Sequence, residues 1–265
     1  MKEALLSLSN IFNNKEYLII ISDDGSSDDS YEVYKNFKIE YNIKNLFFEF
    51  TRPKASKVRK APSHGQISGL ERTLKNHIKT GKELVYLLDC DDYYLFDIER
   101  LKHEVKYYDV IFLEVINEYH SKNLRKKLEI KRFITDEIAY MWPTIVPTSG
   151  LVIKASFLEN YFDMLLTRDA VFDDIWLDLR INICALHRGV KISYSDKSVV
   201  RRLHGENDSS AGGLLRFFSR QIAALRYRKN FKSLPPCKKN IRYMLTNTLL
   251  KFSIQITKYT KKLTR

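Results

Sequence analysis

Apolar positions change their period repeatedly along the first hundred residues, and each change marks an element. Ala4, Leu5, Leu8, Ile11 and Phe12 fall at helical spacing and predict a short amphipathic helix over 4–12. The run "YLIIIS" (17–22) is continuously apolar and predicts a buried strand. A helix is predicted over 28–37, opened by Asp28 and Asp29 where the helix dipole favours negative charge, and then a strand "LFFEF" over 46–50. A basic loop with Pro53 and Pro62 leads to a predicted helix over 66–79, stopped at Gly81, and to a strand "ELVYLL" over 83–88. Two of these strands run straight into acid, "DDGSSDD" after the first and "DCDDYYL" after the third. Helices separating strands that end in carboxylates form the pattern of an open parallel sheet with a ligand crevice at its carboxyl edge.

The second half is more mixed. It carries an apolar strand "DVIFLEV" (109–115), a charged stretch to about residue 132, the segment "PTSGLVIK" (147–154) and a predicted helix over 155–166. From Ile175 onward, Ile175, Leu179, Ile183 and Leu186 keep helical spacing, with Asp173 and Asp174 at the N-terminal end and Gly189 as the stop. Two short strands, 191–194 and 198–203, precede "RRLHGENDSS". Basic amphipathic helices are predicted over 214–227 and about 240–262, the second striped by Leu245, Leu249, Phe252 and Ile256.

Charge sharpens this division. The total of +13 is concentrated at the end: residues 201–265 hold 16 Lys and Arg against two acids, Glu206 and Asp208, for a net +14. A nucleic-acid binder would place basic residues on the folded domain among aromatics or a reading motif, so no nucleic-acid partner is expected. The 265 residues suffice for one sizeable α/β domain with a helical appendage. Cys90, Cys184 and Cys237 lie far apart, with no second cysteine or histidine at ligand spacing, which speaks against a disulfide framework or a zinc module. No apolar run approaches the roughly 18 to 20 residues that span a bilayer, and "MKEALLSLSN" lacks the layout of a secretory signal. The expected location is the cytoplasm.

Four elements carry candidate chemistry: Asp23-Asp24-Gly25-Ser26, Asp89-Cys90-Asp91-Asp92, Asp173-Asp174, and His204-Gly205-x-Asn207. Each has a plain alternative. Asp-Gly after a strand is often only a turn. Two acids at a helix start cap it, and a single histidine is often structural. Three carboxylates within four residues repel one another unless a cation or solvent compensates them, so Asp89, Asp91 and Asp92 read equally as a solvated turn or as a cradle for Mg²⁺ or Mn²⁺ with a diphosphate.

Taken together and in this order, these motifs resemble the family 2 glycosyltransferases of the GT-A fold. That family shares a strand ending in Asp-Asp-Gly-Ser, a later strand ending in Asp-x-Asp-Asp, a Glu/Asp-Asp pair opening a helix, and a final His-Gly-x-Asn. The resemblance covers residues 3–210 and leaves the tail aside. It implies an α/β GT-A fold, a Rossmann-like mixed central sheet flanked by helices. The domain spans 1–210, and 211–265 form a C-terminal helical extension.

By the same resemblance, Asp24 with Asp23 binds the base or ribose of a nucleotide-sugar donor, a UDP-sugar. Asp89 approaches the ribose, Asp91 holds Mn²⁺ or Mg²⁺ on the diphosphate, and His204 stands near that metal. Arg72 steadies the phosphates, and Asp174, beside Asp173, is the general base. A carboxylate base and a metal that offsets charge on the leaving diphosphate suit a single displacement, which inverts the sugar.

Three departures from the family pattern stand out. A central strand of the type "SIIIPxYN" does not precede the first helix, so its neighbours are expected to lose a ladder partner, as in a shortened gene product, a wrongly placed start or a decayed enzyme. Glu71-Arg72-Thr73 is a loose form of Ala-Arg-Asn. The Gln-x-x-Arg-Trp signature of processive synthases is missing, which implies one sugar per acceptor.

The expected activity is hexosyl or N-acetylhexosaminyl transfer to a cell-surface or lipid-linked glycan, at the inner face of the membrane if the basic tail rests on anionic lipid. A tail packed on the domain is the equal alternative. A catalytically silent binding or assembly subunit is the second reading of the whole chain, and nucleic-acid binding or an Asp-dependent phosphatase are weaker ones.

Overall fold

The computed structural model describes residues 1–23, 25–50, 63–77, 83–119, 124–128, 146–167, 172, 175–185, 189–204, 223–224, 226–227, 248, 251–252 and 255–256. Asp24, Asp173, Asp174, Gly205–Asn207, most of the 121–147 loop and most of the tail lie outside the described residues.

The predicted alternation is present. Helix α1 (Lys2–Leu6) and a 3-10 turn (Ser9–Ile11) replace the single helix expected over 4–12, with Ala4, Leu5 and Ile11 buried. Strand β1 (Ile19–Asp23), helix α2 (Ser30–Glu40), strand β2 (Leu46–Phe50) and helix α3 (Ser63–His77) follow. Strand β3 (Leu84–Tyr86) is shorter than predicted, and β4 (Tyr93–Tyr94) was not foreseen. Helix α4 (Lys102–Val105) leads to β5 (Val110–Tyr119), and an unforeseen all-exposed strand β6 (Leu124–Lys127) folds back on it. After β7 (Leu151–Lys154), the helix expected over 155–166 is two, α5 (Ala155–Asn160) and α6 (Phe162–Leu166). They are separated at Tyr161, whose ring packs on Phe157 with centroids 4.7 Å apart. Helix α7 (Leu177–Ala185) and strand β8 (Ile192–Leu203) follow.

Strand order corrects the expectation of one open parallel sheet. β1 and β2 pair in parallel as a separate two-stranded sheet. The other six strands run β3-β7-β5-β8-β4, with β6 on β5, and only the β5–β8 pair is parallel. Among the described residues no ladder joins β1 to β3, so each of these two strands is a sheet edge. The break falls between the two strands that end in acid.

The core centres on β5, where Val110, Ile111, Phe112, Leu113 and Val115 are at most 1% exposed. One edge of β5 is shared by β7 along its first half and β6 along its second, while β8 runs along the whole of the other edge. The two strands expected over 191–194 and 198–203 are this single β8. Its register on β5 shifts between Tyr194 and Ser198, so a bulge absorbs the extra residues without ending the strand. Helix α7 is buried on nearly every side, consistent with its apolar composition. Its Asn182 side chain accepts from Val146 N at 3.1 Å and donates to Val146 O at 2.9 Å. That two-point bond fixes the start of the segment leading to Ser149.

The described part of the tail divides into two kinds of surface. Ala223, Ala224 and Tyr227 are buried against the main core, whereas Phe252 and Ile256 are 61% and 49% exposed. Among the described residues no helix is long and apolar enough to cross a membrane.

Candidate active site

Asp89-Cys90-Asp91-Asp92 is a tight turn between β3 and β4, closed by Asp92 N donating to Asp89 O at 3.0 Å. Its carboxylates do three different things. Asp92 points inward and is 2% exposed: Oδ2 accepts from Ser149 Oγ at 2.6 Å and Oδ1 from the backbone N of Arg202 at 2.9 Å. Ser149 Oγ in turn accepts from Asp89 N at 2.9 Å, so one fully buried hydroxyl holds both ends of the tetrapeptide. Asp91 is thereby left facing outward, and its Oδ2 lies 3.0 Å from His204 Nε2, both side chains partly exposed. His204 directly follows β8, whose Arg202 amide is tied to Asp92, so one register places both partners.

Asp89 is half-buried, and burial pushes its carboxyl up to about 8, reinforced by the charges of Asp92, Asp91 and Asp178 and partly opposed by Arg201. Burial likewise raises Asp92 to about 6, against the pull of its bonds from Ser149 and the Arg202 amide. Burial, more than the neighbouring charges, therefore disfavours the ionised form of both carboxyls.

At the end of β1, Asp23 is 7% exposed, and its carboxylate accepts the amides of Gly25 and Ser26 at 3.1 Å. Gly25 stands at φ 86°, the left-handed region that the turn requires. Arg72, exposed on α3, donates to Phe50 O, and Phe50 is the register partner of Asp23. Arg72 and Asp23 thus share one end of the two-stranded sheet. Of the expected site residues, the structure pairs Asp91 with His204, keeps Asp89 in the same turn, and groups Arg72 with Asp23.

Asp91 and His204 suit a hard divalent ion that takes few protein ligands and fills its shell with water and phosphate oxygens. Among the described residues no group of three or more His, Cys, Asp or Glu forms a fuller metal cage.

Sequence reasoning missed Ser149, Arg201 and Asp178. Ser149 carries no titratable signal. Arg201 was counted with the basic tail, yet it lies in β8 and opposes the charge on Asp89 and Asp92. Its neighbour Arg202 covers the Tyr93 ring at 4.9 Å and reaches Glu118 and Glu3. Asp178 is the third acid of "DDIWLD" and read only as part of a helix face. Ser149→Ala is expected to leave Asp92 Oδ2 and the Asp89 amide short of a partner and to cost about 1–3 kcal/mol of stability, read from the urea unfolding midpoint.

No protein-family model matches the chain. No curated protein matches it either. Among solved structures it resembles the crystal structure of S. aureus TarS 1-349 in complex with UDP-GlcNAc, with a TM-score of 0.58 and 17% sequence identity. The match covers 87% of this chain, which spans 63% of that one. With its mixed sheet, flanking helices and acidic turn, the chain has the fold of a GT-A glycosyltransferase.

Proposed function

We propose that the protein is an inverting, metal-dependent glycosyltransferase that moves one hexose or N-acetylhexosamine from a UDP-sugar to a cell-surface or lipid-linked glycan. The observation that carries this reading is the outward-facing Asp91–His204 pair on a turn clamped by Ser149, within a fold similar to that of a protein solved with UDP-GlcNAc. Asp91 and His204 would hold Mn²⁺ or Mg²⁺, which when bound offsets charge on the departing diphosphate. Asp24, with Asp23 shaping its turn, and Asp89 contact the nucleoside, Arg72 steadies the phosphates, and Asp174 beside Asp173 takes the proton of the acceptor hydroxyl. Release of UDP from UDP-GlcNAc and UDP-hexoses, measured with Mn²⁺ and with EDTA, tests the reading. Absence of Mn²⁺-dependent release from every donor, together with absence of donor binding, would sink it.

One observation favours a second reading, a silent binding or assembly subunit: among the described residues no ladder joins β1 to β3. Donor binding without any turnover is its signature.

The acceptor side and the cytoplasmic, membrane-facing location rest on the tail, whose net charge is +14 over 211–265 and whose Phe252 and Ile256 are exposed. Each Lys or Arg at an anionic surface contributes about 1 kcal/mol. The full chain is expected to sediment with phosphatidylserine-containing vesicles at low salt and to be released at high salt. Equal recovery in the supernatant at both salts removes the membrane contact.

A further inference from the structure

Arg180 is the largest fully buried side chain in the described structure, and its guanidinium is spent on backbone carbonyls. Nε donates to Ile175 O at 3.0 Å, Nη1 to Leu165 O at 2.9 Å and Thr167 O at 2.6 Å, and Nη2 to Phe172 O at 3.2 Å. These four acceptors lie on both sides of one stretch of chain: Leu165 and Thr167 before it, Phe172 and Ile175 at its end. Phe172 and Ile175 are the residues immediately flanking Asp173 and Asp174 in the sequence. A buried cation is costly unless its donors are satisfied, so the guanidinium and these four carbonyls hold one another in place.

A second residue holds Arg180 in place from the C-terminal region. Tyr227 is fully buried, its ring lies 5.7 Å from the Arg180 guanidinium carbon, and its hydroxyl donates to Met164 O. The same ring meets Phe172 edge-on at 5.3 Å. Tyr227 therefore touches the clamp, the residue ahead of the acid pair and the helix at the other end of the stretch.

We propose that Arg180 is a positioning residue for the Asp173–Asp174 pair, with Tyr227 as its second support, so that the C-terminal region sets the backbone beside the candidate base. The catalytic part of this inference rests on the transferase reading above, and the anchoring part does not. Lysine at 180 would keep the charge but present one ammonium instead of a planar fork, and could not serve four carbonyls. Phenylalanine at 227 keeps the ring and removes only the hydroxyl, with its bonds to Met164 O and the Cys184 side chain.

The test uses the full chain as Arg180→Lys and Tyr227→Phe, with amide hydrogen exchange and donor kinetics read side by side. Exchange over 165–176 is expected to quicken about tenfold in Arg180→Lys and a few-fold in Tyr227→Phe, while β5 keeps its parental protection. In sugar transfer, kcat should fall about tenfold or more in Arg180→Lys, and a few-fold in Tyr227→Phe, with the donor KM unchanged. If Arg180→Lys does not fold, Tyr227→Phe decides alone.

Parental exchange over 165–176 in a folded variant overturns the anchoring. An equal rise in exchange across 165–176 and β5 overturns it too, since that is general destabilisation. Unchanged kcat alongside faster local exchange overturns the positioning role. A parent that neither binds nor turns over donor, with exchange still faster over 165–176 in the variants, sinks the transferase reading and leaves the anchor standing.

Discussion

Asp91→Ala is expected to abolish Mn²⁺-dependent binding of a UDP-sugar and to lower UDP release by about 10²–10³-fold, the scale of a lost metal contact to the leaving group. The geometry isolates this carboxylate well. Asp92 is held inward by Ser149 and the Arg202 amide, so it cannot swing out to replace Asp91 without breaking those bonds, and Asp89 is half-buried in the same turn. Asp91 is itself partly exposed, so its removal should leave the fold's stability nearly unchanged. His204→Ala should be milder, about tenfold in metal affinity, because water can take the place of an exposed imidazole. Calorimetric titration of donor with and without Mn²⁺ reads both variants. Parental metal-dependent binding in Asp91→Ala would remove the metal assignment.

Asp174→Asn is expected to keep donor binding and lose transfer, with kcat down about 10²–10⁴-fold, the usual contribution of a positioned general base. Asparagine preserves shape and hydrogen bonding but does not accept the acceptor's proton. The donor KM should therefore stay at the parental value, and Mn²⁺-dependent hydrolysis of the donor by water should fall less than transfer does. Asp173→Asn is the natural companion, expected to cost less because the proton transfer is assigned to Asp174. Transfer at the parental rate in Asp174→Asn would show that another group is the base. Asp178, whose charge reaches Asp89, would then be the next residue to replace.

How much of the site could be read in advance differs from residue to residue. Asp89, Asp91 and Asp92 were visible because three acids after an apolar strand break the local pattern. Their separate orientations were not visible, since a sequence shows three equal carboxylates. What divides them is a serine 57 residues beyond Asp92 and an amide 110 residues away. Arg180 was hidden for a similar reason. Nothing in the local pattern marks it, yet it is fully buried because four carbonyls compensate it.

By itself the sequence determined the order of strands and helices from α1 to β3, the acid-tipped ends of β1 and the β3 segment, and the basic character of the tail. These are local properties, set by side-chain period, propensity and composition over a few residues. Only the tertiary structure decided that the sheet divides between β1 and β3, that β8 continues through a bulge as one strand, that Asp91 meets His204 across 113 residues, and that Tyr227 belongs to the core. Those outcomes follow from satisfying every buried polar group and filling the space around β5 at once, conditions that involve residues far apart in the chain.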